Sequence, residues 1–315
     1  MNKFTRYYNQ NRKMIWGIVI IIASIIIVLQ IINHLVSQRI ENNTNTTDGT
    51  QQGGTEIQAN SSTVSTNRSA VNGESLESEY LKRETEVIDD FITICNNGDI
   101  QKAYDMLTDE CKENMYTSIQ IFKEAYYDDN FGGVSKVAEI ENWLGDTYKV
   151  RMTENLLSAG KSTNGYAKQD YITVKKVDDT YKLNINNYIG FSEINKVTEQ
   201  NNIKIEVLNK NTYMENEEYT IKVTNNTKGT ILLDDLTSVD TLYLEGSNGM
   251  KYSFYSHELA ESMLTIPAGQ TKQVSIRFYS SYTSTRQIKA IVFSNLKLNA
   301  NSADNRSTTI FKANV

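Results

Sequence analysis

Hydrophobic and polar positions follow distinct patterns in successive parts of the chain. An uncharged apolar run, polar only at Ser24 and Gln30, lies at 14–32, and the polar segment from 41 to about 73 has only isolated apolar residues. From 75 to about 130, apolar positions recur at intervals of three and four, as on one face of a helix. Beyond that point the interval falls to two, which is typical of strands. The patterns predict an N-terminal helix, a flexible segment, several helices and then mostly β-strands.

Residues 14–32 have the length and composition of a membrane span. The nineteen residues carry no charge, and a helix of that length is roughly 28 Å long, close to the thickness of a bilayer core. Basic flanking residues stay in the cytoplasm. We therefore predict a cytoplasmic tail at 1–13, a transmembrane helix at 14–32 and an extracellular location for all later residues. The topology signal consists of Lys3, Arg6, Arg12 and Lys13.

A cleaved signal peptide is the alternative for this apolar run. Signal peptides have a shorter apolar core, and a small-x-small cleavage site follows it. No such site occurs within 33–40. The sequence therefore favours an uncleaved anchor in the cell membrane.

The segment 33–74 is dominated by Asn, Thr, Ser, Gln and Gly. A segment of this composition cannot bury enough apolar surface to offset its chain entropy, so we predict a disordered linker. At roughly 5 to 6 Å times the square root of about 40 residues, the linker would hold the next domain about 30 to 40 Å from the membrane.

The segment 75–190 combines three predicted helices with an antiparallel meander. Apolar positions from Tyr80 to Cys95 form one helical stripe, and Asn97-Gly98-Asp99 ends this helix and caps the next, at 100–107. A third helix follows Ser118. Alternating positions then predict strands at 137–143, 147–155, 165–177 and 181–185.

The motifs of this segment are the Asn97-Gly98-Asp99 helix stop, the helix from Ala103 to Leu107 and the closing hairpin from Val174 to Leu183. Together they resemble the nuclear transport factor 2-like superfamily. The resemblance implies an α+β cone, with three helices on a curved antiparallel sheet. Members include ketosteroid isomerase, lipid-binding and scaffold domains, and extracytoplasmic domains of bacterial conjugation and type IV secretion proteins, so the fold leaves the function open.

The segment 202–315, after a predicted linker at 191–201, is expected to be all β. Short alternating segments are separated by Gly- and Asn-rich turns, a spacing that favours a β-sandwich. The runs Leu264 to Thr271 and Gly249 to Tyr252 resemble the immunoglobulin-like domains common on Gram-positive surface proteins. The Cys-Trp-Cys signature of true immunoglobulins is absent from the sequence. The resemblance therefore implies an adhesive or scaffolding module.

Composition narrows the classes of function. A net charge of -6 argues against nucleic-acid binding, which needs concentrated Lys and Arg. The two histidines, His34 and His257, lie in different segments, so a shared histidine site is not expected. The sequence has no Walker A lysine loop and no GxGxxG motif. We predict a protein that is not an enzyme, with no catalytic residues, no cofactor and no metal.

Cys95 and Cys111 lie near the ends of two predicted helices that should pack together. A disulfide outside the membrane and burial as two free thiols both fit this position. The acidic pairs lack the spacing of a calcium-binding loop, so we interpret them as solvated turn residues. These pairs are Asp128-Asp129, Asp178-Asp179 and Asp234-Asp235.

Aromatic residues are the candidates for ligand or partner contacts, since tyrosine combines apolar area with a hydroxyl group. Most aromatic side chains of a small α+β domain are needed for its core. The candidates are Tyr126, Tyr127, Trp143, Tyr148, Tyr279 and Tyr282.

The sequence thus predicts a single-pass, membrane-anchored extracytoplasmic binding or scaffold protein with two interaction modules. Its expected partner is an extracytoplasmic protein or a cell-envelope component. A subunit of a conjugation or type IV secretion-like channel is the narrower version of this hypothesis. The alternative is a small-ligand or enzymatic pocket in the α+β domain, which would need an Asp or Glu buried beside a Tyr.

Overall fold

The computed structural model of the chain is mostly β-strand, arranged in antiparallel sheets. Several predicted segments lie outside the described residues. They are the predicted tail with its basic residues Lys3, Arg6, Arg12 and Lys13, the predicted span, and most of the predicted linker. Among the described residues, none of the helices is long and apolar enough to cross a membrane. The structure describes residues 63–64, 69–71, 73, 78–154, 167–283, 286–302 and 306–315.

The first two helices lie where the sequence predicts, although the second ends at Asp105, two residues before the predicted end. Helix α1 (Ser78–Asn96) buries its apolar stripe in the core. Gly98, whose φ is 75°, follows shortly after its last residue. Glycine is favoured there because this left-handed conformation strains residues with a Cβ atom. Asp99 then caps α2 (Ile100–Asp105) by accepting a hydrogen bond from the Lys102 N–H at 3.3 Å.

The prediction of three helices is wrong in number for the described residues. An additional helix, α3 (Asp109–Asn114), begins at the Thr108 cap, whose hydroxyl accepts from the Cys111 N–H at 3.0 Å. Six residues are too few to produce a periodic signal. The next helix, α4 (Ile119–Phe122), is continuous with a π-helical turn at Lys123–Tyr127 and α5 (Asp128–Asn130).

The helices pack against a five-stranded sheet with strand order β1-β2-β3-β4-β5. The antiparallel meander β2–β5 is confirmed, but β1 pairs with β2 in parallel. The Ala70 N–H also donates to the Asn142 carbonyl at 3.0 Å. The prediction of disorder throughout 33–74 is therefore wrong for its described residues, because the edge of β2 supplies hydrogen-bonding partners. The strands are β1 (Thr63–Val64), β2 (Lys136–Leu144), β3 (Thr147–Glu154), β4 (Lys168–Val177) and β5 (Thr180–Asn184).

The predicted linker at 191–201 is wrong, because residues up to Gln200 belong to a strand. Strand β6 (Tyr188–Gln200) pairs antiparallel with β7 (Ile203–Tyr213) almost from end to end. Most side chains of β6 beyond Gly190 are exposed, and the register shifts twice. A strand with little buried surface and interrupted alternation has the polar composition of a linker.

The second half of the chain forms two sheets that bury one common core. Strand order is β13-β8-β7-β6 in one sheet and β11-β10-β14-β9-β12 in the other, where β15 pairs with β14. Short helical segments at Ser256–Glu258 and α6 (Glu261–Leu264) lie between β11 and β12, at opposite edges of the second sheet. The remaining strands are β8 (Asn216–Asn225), β9 (Ile231–Leu232), β10 (Leu242–Gly246), β11 (Lys251–Ser253), β12 (Thr265–Ile266), β13 (Thr271–Tyr279), β14 (Ile288–Leu298) and β15 (Ser307–Asn314).

Two large clusters of buried apolar residues, and a third cluster of only three residues, lie in the described part of the chain. The first contains residues of the helices and of β2–β5 and reaches Tyr188, and the second begins at Ile203. The β6–β7 pair joins them: the rings of Tyr188 and Tyr213 are 5.4 Å apart. The Met214 N–H also donates to the Asn187 carbonyl at 2.8 Å. The two halves therefore meet through continuous backbone pairing.

Candidate functional site

Three of the predicted aromatic contacts lie inside the first core. Tyr126, Tyr127 and Tyr148 are 1%, 8% and 0% exposed. Trp143 is half-buried, with its ring edge-on to Tyr171 at 5.1 Å. Packing therefore accounts for the three buried tyrosines, whereas Tyr279 is exposed and Tyr282 is half-buried.

The structure contains the buried pairs of carboxyl and tyrosine that a pocket in the α+β domain would need. Tyr126 donates its hydroxyl to Asp170 at 2.8 Å, and the Asn186 and Asn187 N–H groups donate to the same carboxyl at 3.0 and 2.9 Å. A second pair joins the Tyr148 hydroxyl to Glu84. Burial raises the pKa of Asp170, although hydrogen bonds from its partners favour the ionised form.

The contacts of Asp170 fit a structural role. Its two carboxyl oxygens accept hydrogen bonds from protein groups, and they hold Asn186 and Asn187 in left-handed conformations with φ of 58° and 63°. Sequence reasoning missed this residue. The available signal was its register: Asp170 alternates with Ile172 and Val174 on the inward face of β4, where a carboxyl requires a partner.

Cys95 and Cys111 are free thiols, so the disulfide considered from the sequence is not formed in the structure. Each side chain is 0% exposed and belongs to the first core. Burial raises the pKa of Cys95, and raises that of Cys111 to about 12. Buried thiols that stay protonated are poor nucleophiles and poor metal ligands.

An aromatic and cationic surface lies on the second half of the chain. Tyr279 is 51% exposed, and its ring stacks on Tyr255 at 3.7 Å and 17°. The Arg277 guanidinium lies 6.0 Å from the Tyr255 ring centre and pairs with Glu218 at 2.7 Å and Glu258 at 3.0 Å. We call Tyr255, Arg277 and Tyr279 the Tyr279 surface.

A cavity of about 240 Å³ lies where elements of the two halves meet. Lys175 comes from β4, Gly190 from β6, Lys210 from β7 and Glu217 from β8. Tyr282 also lines this cavity, and burial raises the pKa of its hydroxyl. We call this space the junction cavity, with Lys175, Gly190, Lys210, Glu217, Tyr282 and Arg286 as its principal lining residues.

Glu217 is the centre of a buried polar cluster beside the junction cavity. Its Oε1 pairs with Lys210 at 3.0 Å and Arg286 at 3.1 Å. Its Oε2 accepts from the Tyr219 hydroxyl at 3.0 Å and the Ser280 hydroxyl at 3.4 Å. Burial and the neighbouring Glu217 carboxylate raise the pKa of Tyr219 well above its usual value. The cluster was not predicted, since its members are brought together only by strand pairing.

The acidic pairs differ from one another in their surroundings. Asp128 and Asp129 form exposed ion pairs with lysines, as solvated turn residues do. Asp234 is 0% exposed, so the prediction of a solvated pair is wrong there. The Asp234 carboxyl accepts a hydrogen bond from the Leu236 N–H at 2.8 Å, and this bond closes the turn and partly compensates for the burial of the carboxyl. Within the ranges described, no group of three or more His, Cys, Asp or Glu side chains is placed to hold a metal.

Comparison with known proteins gives no family assignment. No family model and no curated protein sequence matches the chain. Function is therefore inferred from the chemistry of the described residues and from the sequence patterns.

Proposed function

We propose that the protein is a non-catalytic, membrane-anchored extracytoplasmic binding or scaffold protein. In this proposal 75–190 is a nuclear transport factor 2-like domain and 202–315 an immunoglobulin-like domain. The span at 14–32 and the basic residues before it carry the proposed topology. The narrower proposal, a subunit of a conjugation or type IV secretion-like channel, rests on the predicted layout, because a short cytoplasmic tail, one span, a tether and an α+β domain of this kind resemble the arrangement in that family.

The Tyr279 surface is the observation that carries the binding proposal. Tyrosine and arginine are enriched among the residues that dominate protein–protein binding energy. Tyr279 exposes half of its side chain although it is a large aromatic residue at the end of β13. An exposed aromatic ring of this kind offers apolar area and a hydroxyl to a partner.

The surface is also held in one arrangement before any partner binds. Glu218 and Glu258 fix the Arg277 guanidinium from two sides, and the Tyr255 ring supports that of Tyr279. Side chains that are already ordered lose little conformational entropy on association. The surface is therefore suited to binding with a small entropy cost.

Site-specific photo-crosslinking in cells tests the proposal. A photoreactive residue at exposed Ser281, two positions after Tyr279, would report on a partner seated on this surface. We expect one crosslinked species of defined mass, which Tyr279→Ala abolishes. Met250→Ala is the matched control, because Met250 is 55% exposed and lies outside the Tyr279 surface.

The result separates binding at this surface from chance proximity. A species that persists in Tyr279→Ala, or that Met250→Ala removes equally, would contradict the proposed role of the surface. Absence of any crosslinked species in the unaltered chain would contradict it as well.

A further inference from the structure

We propose that the junction cavity is a binding site for a small oxyanion, the carboxylate or phosphate group of a small molecule. The observation behind this assignment is an excess of positive charge among the residues that line a concave space. Lys175, Lys210 and Arg286 line the cavity, whereas Glu217 is the acidic residue among its lining. This proposal is independent of the Tyr279 surface.

Lys175 is a cation of the cavity lining that forms no ion pair with the described residues. It is half-buried on β4, and in the part of the chain that the structure describes it has no hydrogen bond or ion pair. Glu110 is the nearest candidate counter-charge behind Gly190. Its carboxylate, however, accepts from the Asn184 side-chain amide at 2.7 Å and the Phe191 N–H at 3.2 Å. Among the residues that line the cavity, three cations therefore face one carboxylate, while Glu110 lies behind Gly190 and Asp146 near the Tyr282 hydroxyl.

Arg286 supplies donors as well as charge. A guanidinium group has five N–H donors. In the described structure, the carboxylate of Glu217 and the carbonyl of Ser281 accept from it. Its other N–H groups remain for a ligand. Planar guanidinium donors match the geometry of carboxylate and phosphate oxygens.

Burial strengthens the attraction for an anion. The side chains of Glu217 and Arg286 are 3% and 8% exposed, so both charges lie out of bulk water. Charges in such surroundings interact more strongly than at an open surface, because less solvent screens them. Solvent would therefore screen only weakly the attraction between these cations and an anion that enters the cavity.

The size of the cavity selects a small ligand. With about 30 Å³ per water molecule, the 240 Å³ corresponds to about eight waters. Gly190 keeps one wall open, since a Cβ there would lie 3.2 Å from the Glu110 carboxylate and 3.7 Å from the Lys175 side chain. Residues of both halves line the space, so a bound anion would contact both and stabilise their junction.

Calorimetric titration of the full chain in non-ionic detergent tests the assignment. The probes are sodium phosphate and sodium succinate, each at ionic strength held constant with sodium chloride. We expect saturable binding of at least one probe, and the stronger one identifies phosphate or carboxylate as the ligand chemistry. Lys175→Gln should weaken that binding by about tenfold, which corresponds to about 1.4 kcal/mol.

Lys176→Gln is the matched control, because Lys176 is the exposed neighbour on the same strand and does not line the cavity. It removes the same charge and should bind as the unaltered chain does. Since Lys175 has no hydrogen bond or ion pair with the residues that the structure describes, both variants should keep the fold, as circular dichroism would verify. Absence of saturable binding of both probes, or equal weakening by the two substitutions, would overturn the proposal.

Discussion

Replacing Asp170 with alanine should destabilise the α+β half more than any change at its surface. The substitution removes the acceptor for three buried donors: the Tyr126 hydroxyl and the N–H groups of Asn186 and Asn187. Asp170 is 3% exposed, so water cannot easily replace the carboxyl. The donors would be left without a partner in the core.

The size of the expected loss of stability follows from the number of hydrogen-bond donors that lose their acceptor. Each buried donor without an acceptor costs about 1 to 3 kcal/mol. Some of this loss is offset, because the variant no longer buries a carboxyl group. We expect a decrease of about 3 to 6 kcal/mol in the free energy of unfolding. Tyr126→Phe removes only one of the three donors and should cost about 1 kcal/mol.

Urea unfolding of the full chain in detergent, followed by tryptophan fluorescence, measures the difference. Trp143 packs against Tyr171 in this half of the chain and reports its unfolding. Asp179→Ala is the control, because Asp179 lies exposed in the turn between β4 and β5. A surface substitution of this kind should change stability by no more than about 0.5 kcal/mol.

The dependence of stability on pH provides a second test of the role of Asp170. Burial raises the pKa of Asp170 above 3.8, so the native state binds this proton more tightly than the unfolded state. The stability contributed by this tighter proton binding is fully present below the pKa that Asp170 has in the unfolded state. It is lost as the pH rises through the pKa that Asp170 has in the folded state. Asp170→Asn removes this titration. The stability of the unaltered chain relative to that variant should therefore fall as pH rises from about 4.

Two results would refute the reasoning about Asp170. If Asp170→Ala unfolds within about 0.5 kcal/mol of Asp179→Ala, the buried donors find other acceptors and the hydrogen-bond argument is wrong. If the difference between the unaltered chain and Asp170→Asn is constant with pH, burial does not raise the pKa of Asp170.

Other predictions concern the thiols, the strand β6 and the topology. Cys95 and Cys111 should resist a thiol reagent in the native chain and both react after unfolding, whereas a native disulfide would leave neither reactive. A fragment 202–315 should be digested by protease faster than 188–315, because it lacks β6 and exposes the edge of β7. Equal digestion would contradict that role for β6. External protease on intact cells should degrade the chain beyond 14–32, and protection of the C-terminal half would contradict the proposed topology.

The local elements of the fold were predictable because their signals lie within a few residues of one another. Asp99 and Ser118 were recognised as helix caps from their side chains, and each accepts from a backbone N–H in the structure. Gly98 marked the end of α1 because few other residues adopt its conformation. The four strands of the meander followed from alternation, since one face of each is buried.

Elements whose stability comes from distant partners were not predictable in this way. Strand β6 buries few side chains beyond Gly190 and is ordered by its pairing with β7, so its polar sequence indicated a linker. Helix α3 is too short for a periodic signal and is defined by its cap. Here composition reports on exposure to water, whereas order comes from backbone hydrogen bonds.

The sequence by itself determined the first two helices, the strands of the meander, several helix caps and the apolar faces that form the cores. Only the tertiary structure decided which polar groups meet. Asp170 accepts a hydrogen bond from Tyr126, which is 44 residues away in the chain. Glu217 pairs with Arg286, which lies in a different connection between strands. The physical reason is that periodicity records which face of an element is buried, but not which residue lies opposite. Buried charges and hydroxyls acquire their partners, and the junction cavity its cations, through the pairing of strands distant in the chain.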